Sequence, residues 1–307
     1  SLLKIALLWT SENLKDWTLM SEFSSKYTPD AEWECPDLFE LEIPGGKSKW
    51  VMLISTNPGS VAGGSGMHYH IGNFDGYKFT EDEDTRSNHI KWLDFGSDFY
   101  AGNTWNDVKR GRYLIGWINN WDYADAIDGE YKGAQGLVRR LKLEEIDGTL
   151  KLTQKPVEDI KHYRKGEQKY HLKTAKDEIK LLKNKAYEIN VMINSNIKES
   201  FSFVIKDDNN FLEAEIRYNI EKKTLSIKKT TNFITSKDTY ATHRAPFVAK
   251  NIEKFKIFID GNTLTLFNTR GDIVFTELLI SKAPSRKFSL NQDSKFQASA
   301  TMWLLEF

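Results

Sequence analysis

The sequence predicts an all-β chain in two parts, and three observations carry that reading. Short apolar or alternating runs are separated by turn clusters, helical periodicity is hard to find, and the composition changes between about Lys155 and Lys185. In the first part, Ile5 to Thr10, Trp17 to Met20, Trp50 to Thr56, Met67 to Phe74, Arg112 to Asn119 and Leu137 to Glu144 read as strands. Gly45-Gly46, Asn57-Pro58-Gly59, Asp75-Gly76 and Asp147-Gly148 supply the turns between them. This spacing, with its aromatic punctuation, suits propeller blades or a sandwich. Residues 156–185, rich in Lys, Glu and Asp and poor in large apolar side chains, read as a connector. Beyond it, over 186–307, alternation resumes in Tyr187 to Ile193, Phe201 to Ile205, Leu212 to Arg217, Leu225 to Lys229, Phe255 to Ile259, Leu264 to Phe267, Ile273 to Leu279 and Ala298 to Phe307. With the hairpin signal Asp260-Gly261-Asn262, these predict an antiparallel β-sandwich.

The 307 residues leave room for about two domains. Forty-three basic residues balance 43 acidic ones, so no overall field favours a polyanion and nucleic acid is not an expected partner. No run of about 20 apolar residues is present to cross a membrane as a helix. Cys35 is the sole cysteine, which excludes an intramolecular disulfide but does not fix a secreted or a cytoplasmic location.

The stretch Trp33-Glu34-Cys35-Pro36-Asp37-Leu38-Phe39 sets a carboxylate beside a turn-forming proline and between apolar walls. Burial against Trp33, Leu38 and Phe39 disfavours a charged carboxylate, which is what a proton donor needs. The same residues also fit a half-buried strand whose glutamate makes a structural hydrogen bond.

Context separates the two. Glu34-Cys35-Pro36-Asp37 resembles the Glu-Cys-Pro-Asp motif of glycoside hydrolase family 32, the invertase, inulinase and levanase family. The similarity continues in order through Lys49-Trp50-Val51-Met52-Leu53-Ile54-Ser55, Asn57-Pro58-Gly59, Gly63-Gly64-Ser65-Gly66 and Gly72-Asn73-Phe74-Asp75-Gly76. Asp94-Phe95-Gly96, Asp98-Phe99-Tyr100-Ala101 and Gly116-Trp117-Ile118-Asn119-Asn120-Trp121 extend it. The resemblance implies part of a five-bladed catalytic propeller over residues 1–155, the sandwich after it, and no cofactor. It makes Glu34 the acid/base of a retaining β-fructofuranosidase acting on sucrose or fructans (inulin, levan). Trp33, Asp94, Tyr100, Trp105, Trp117 and Trp121 would line the substrate site, Asp94 and Tyr100 orienting either the acid/base residue or a sugar hydroxyl, while Cys35 and Asp37 would pack beside the site and brace its turn.

The family's nucleophile motif, Trp-Met-Asn-Asp-Pro-Asn-Gly, and its Arg-Asp-Pro motif do not occur in this sequence. The chain therefore reads as the C-terminal part of a longer enzyme, expected to be inactive, and to aggregate, without the N-terminal half as partner. A catalytically silent glycan binder and a fructosyltransferase are the alternatives. His68-Tyr69-His70 raises a metal site, but no third ligand accompanies the pair and none is expected. Ser97 and Tyr131-Lys132-Gly133 depart from the family pattern and bear on the aglycone side of the pocket.

Overall fold

The computed structural model describes residues 4–83, 89–126, 132–193, 199–230, 238–250, 252–279, 283–291 and 296–307, so Tyr131 lies outside the described residues. The first part contains β1 (Ala6–Thr10), β2 (Thr18–Phe23), β3 (Glu32–Glu42), β4 (Ser48–Asn57), β5 (Gly66–Phe74) and β6 (Phe79–Glu81). It continues with β7 (Tyr100–Thr104), β8 (Arg112–Ile118), β9 (Ala134–Gln135), β10 (Arg139–Ile146) and β11 (Thr149–Pro156). They form an antiparallel β1-β2 pair, a meander β3-β4-β5-β6 and a second sheet β7-β8-β10-β11 with β9 joined to β8. These are propeller blades. Alternation explains how they stack: Met67, Tyr69 and Ile71 of β5 pack with Phe39, Leu53, Phe99, Leu114 and Leu143 between the two larger sheets. The opposite face of the β3–β6 sheet meets β1-β2 through Phe23, Met52, Ile54 and Phe79, with Trp33 and Leu38 against them.

The second part holds β12 (Arg164–Leu172), β13 (Ile179–Leu182), β14 (Ala186–Ile193), β15 (Phe201–Asp207), β16 (Leu212–Asn219) and β17 (Thr224–Lys229). It closes with β18 (Thr242–Pro246), β19 (Glu253–Asp260), β20 (Thr263–Phe267), β21 (Val274–Leu278), β22 (Ser285–Leu290) and β23 (Ala298–Leu305). Two six-stranded sheets, β12-β23-β14-β19-β20-β21 and β13-β22-β15-β16-β17-β18, bury one large apolar core between them.

The connector expected over 156–185 is corrected by these sheets. Residues 164–172 and 179–182 are edge strands of the sandwich, and Leu172, Ile179 and Leu181 are buried in its core. Edge strands carry charge on their open side, as β12 does from Lys165 to Lys169, and that composition imitates a linker.

The blades and the sandwich are joined along the free edge of β21. Phe95 N–H donates to Val274 O at 2.8 Å and Asp98 N–H to Thr276 O at 3.1 Å, so the segment 94–98 covers that edge as a further strand would.

Candidate active site

Glu34 owes its position to a bulge. In the β3–β4 ladder Glu34 pairs with Ser55 and Asp37 with Leu53, leaving Cys35 and Pro36 opposite Ile54 alone. Cys35 takes up the extra residue with φ at 47°, and Pro36, which has no N–H to offer a ladder, sits where none is needed. Without the bulge, a three-residue spacing would set Glu34 and Asp37 on opposite faces; with it, both face β7.

The neighbouring blade repeats the device. Tyr100 pairs with Trp117 and Asn103 with Ile115, and Ala101 has φ at 49°. The two bulges meet. The Tyr100 hydroxyl donates to Glu34 Oε2, and three residues on, Asp37 Oδ2 accepts from Thr104 N–H at 2.8 Å and from its hydroxyl at 2.7 Å. Tyr100 is buried, and that burial together with the Glu34 carboxylate holds its phenol above the usual tyrosine value, so it remains a neutral donor. Glu34 itself is exposed.

That exposure corrects the desolvation expected from the apolar flanks. Trp33 and Leu38 project from the other face of β3, and Phe39 is buried beneath the Arg112 guanidinium, 4.7 Å from its ring centroid. Trp33 does not face the carboxyl either: its indole donates to Thr28 Oγ1 at 2.9 Å and its ring packs 5.8 Å from His68 and 5.9 Å from His70. Cys35 is exposed beside Glu34, and burial of its sulfur with the adjacent carboxylate raises the thiol.

Trp117, the cross-strand partner of Tyr100, is held by its indole donating to Lys132 O at 2.9 Å. Trp121 lies with its ring 5.1 Å from that of Trp117 and is 56% exposed. The clip that fixes Trp121 is Asn120, a residue the sequence reading did not single out. Its amide donates to Gly63 O at 3.1 Å and Ser97 O at 2.8 Å, while its Oδ1 accepts from Ser65 N–H at 3.3 Å. A side chain on Gly64 would come within 2.1 Å of that Oδ1, which is why the glycine cluster is needed here. The pairing of Gly63-Gly64-Ser65-Gly66 with Asn119-Asn120 was the available signal.

Two expected residues lie elsewhere. Asp94 is 2% exposed and fully engaged at the domain junction: it accepts from Arg139 at 2.9 Å, Gly96 N–H at 2.8 Å, and Thr276 N–H at 2.9 Å and hydroxyl at 2.7 Å. No lone pair is left for a sugar. Trp105 follows the far end of β7, five residues from Tyr100 and so roughly 16 Å along the strand at about 3.3 Å per residue. Ser97 belongs to the junction as well; it is buried, and the ammonium of Lys229 donates to its hydroxyl at 2.7 Å.

His70 Nδ1 lies 2.8 Å from Glu81 Oε1, and burial holds His68 well below the usual histidine value. Among the described residues there is no group of three or more His, Cys, Asp or Glu side chains able to hold a metal.

Comparison with known proteins identifies both parts of the chain. The family model for the Glycosyl hydrolases family 32 N-terminal domain matches residues 2–156, and that for the family 32 C terminal matches residues 155–304. A levanase of Bacillus subtilis (strain 168) is 31% identical over 306 residues, covering 92% of this chain and 44% of that protein. An extracellular exo-inulinase of Aspergillus ficuum is 32% identical over 290 residues, covering 88% of this chain and 53% of its own length. The chain thus spans about half the length of these curated relatives. The crystal structure of exo-inulinase from Aspergillus awamori superposes with a TM-score of 0.86 at 26% identity, covering 99% of this chain and 63% of that one.

Proposed function

Because the chain belongs to glycosyl hydrolase family 32, we propose that it carries the acid/base half of a retaining β-fructofuranosidase active on terminal β-fructosyl linkages of sucrose or fructans. The observation that supports this most is the Glu34–Tyr100 contact between two matched bulges, which presents one exposed carboxyl with a neutral phenol behind it. Glu34 protonates the departing glycosidic oxygen, then takes a proton from the water that resolves the fructosyl intermediate. Tyr100 orients the carboxyl, leaving its other oxygen for substrate. Trp121, with Trp117 behind it, offers an aromatic face to the apolar side of a furanose ring.

Retention requires a second carboxyl about 5 to 5.5 Å from the first, to attack the anomeric carbon. We assign it to a segment bearing the nucleophile motif that this sequence lacks, and this chain alone is then inactive. The test is fructose release from sucrose, inulin and levan by the active enzyme containing this chain, with the anomer of the first product read by NMR. Retained β-configuration is expected; inversion would remove the double-displacement reading.

A further inference from the structure

Away from Glu34 the two larger blades diverge into a groove of about 1140 Å³ whose lining the proposed reaction does not use. It lies at the far end of β3, around Glu40 and Leu41, six to seven residues from Glu34 and roughly 20 Å along the strand. The loop from Trp105 to Gly111 forms one wall, and β10 from Arg140 to Glu144 forms the other.

Three features bear on what it could hold. The Trp105 ring is 44% exposed, and its indole N–H has no hydrogen-bond partner among the described residues; Tyr113 lies half-buried in the same wall. The buried Nε of Arg140 likewise has no hydrogen-bond partner. Five cationic and six acidic side chains line the groove, so it presents no strong field of either sign. A polyanion has nothing to be drawn by, and a purely apolar ligand would strand these charges. Donors and acceptors of both kinds beside an exposed aromatic face suit hydroxyl groups on a ring with an apolar side. The volume exceeds the about 300 to 1,000 Å³ of ordinary small-ligand pockets, which leaves space for several linked rings.

We propose that this groove is a second carbohydrate site, binding a neutral oligosaccharide segment remote from Glu34. It deepens the fructosidase reading and rests on it for the identity of the sugar: a fructan chain is long enough to engage both places, and sucrose is not. The probes are an inulin oligosaccharide fraction and sucrose, added to the Glu34→Gln protein with its tryptophan indoles labelled for NMR. The inulin fraction is expected to shift the Trp105 signal, and sucrose to leave it unmoved. In the active enzyme, Trp105→Ala is expected to raise KM for inulin about tenfold with kcat/KM for sucrose unchanged, and Trp105→Phe to recover most of the loss. An unmoved Trp105 signal, or an unchanged KM for inulin, overturns the groove while fructose release continues. Absence of fructose release by the enzyme with Glu34 intact, with the Trp105 shift present, overturns the fructosidase reading instead and leaves the groove standing.

Discussion

Two of the carboxylate–phenol pairs among the described residues, Glu34–Tyr100 and Asp98–Tyr123, have opposite fates. Tyr100 donates to Glu34, and Tyr123 donates to Asp98 Oδ1 at 2.5 Å. Asp98 is only two residues before Tyr100, yet it is buried at the junction with the sandwich, where Lys229 Nζ meets it at 2.5 Å and meets Glu277 Oε2 at 3.0 Å. His243 Nδ1 approaches the other oxygen of Glu277 at 2.7 Å. Burial lowers the affinity of Lys229 for its proton, but the Asp98 and Glu277 carboxylates more than offset this and hold the ammonium above its usual value. The Asp98 charge is spent on Lys229. Glu34 has a phenol but no cation among its hydrogen-bond and salt-bridge partners in the described residues, and its carboxyl is open. Residue type does not separate architecture from chemistry here; the partner and the burial do.

The comparison breaks most visibly at Lys229. Lys229→Met leaves two buried carboxylates without their cation, and a loss of about 3 to 5 kcal/mol of stability is expected in denaturant unfolding. A loss under about 1 kcal/mol would mean that the junction is wetter than described. Asp37→Ala comes next, stranding the half-buried Thr104 N–H between the two bulges, with an expected cost of about 1 to 3 kcal/mol. Glu34→Gln, at an exposed position, should change stability by no more than about 0.5 kcal/mol.

Acid sharpens the same contrast. Burial pushes Glu277 up, but His243 and Lys229 outweigh it and lower the carboxyl from 4.5 to about 2. A carboxyl whose folded pKa is depressed stabilises the fold above its unfolded value, and that stabilisation is lost as pH falls from 4.5 toward about 2. Melting curves of the protein should fall through that window, and Glu277→Gln should flatten the fall. An equally steep decline in Glu277→Gln would place the acid-sensitive group elsewhere.

Much of the fold was legible because burial leaves short apolar runs bounded by turns: β4 and β5, buried on both faces, read as continuous runs through Val51 to Ile54 and Met67 to Ile71, and β19 alternates through Phe255 and Ile257. The edge strands β12 and β13 were not, since β12 exposes most of its side chains and pairs on one side only. The motifs singled out Glu34, and Tyr100 as a residue orienting the acid/base group or a sugar hydroxyl, but the geometry of their contact was not legible, because it depends on two bulges that sequence periodicity cannot register. Asp94 was misplaced for a related reason. Its partners Arg139 and Thr276 lie 45 and 182 residues away, and only the docking of β21 brings Thr276 to it.

The most direct test of the account is chemical rescue of Glu34→Ala in the active enzyme that contains this chain. Proton transfer is worth about 10² to 10⁴ in rate, so sucrose hydrolysis should fall by that order. Added azide, which attacks without a general base, should then restore turnover of a substrate with a good leaving group and yield fructosyl azide. Wild-type hydrolysis rates in Glu34→Ala, or a loss that azide cannot rescue on such a substrate, would contradict Glu34 as the proton shuttle.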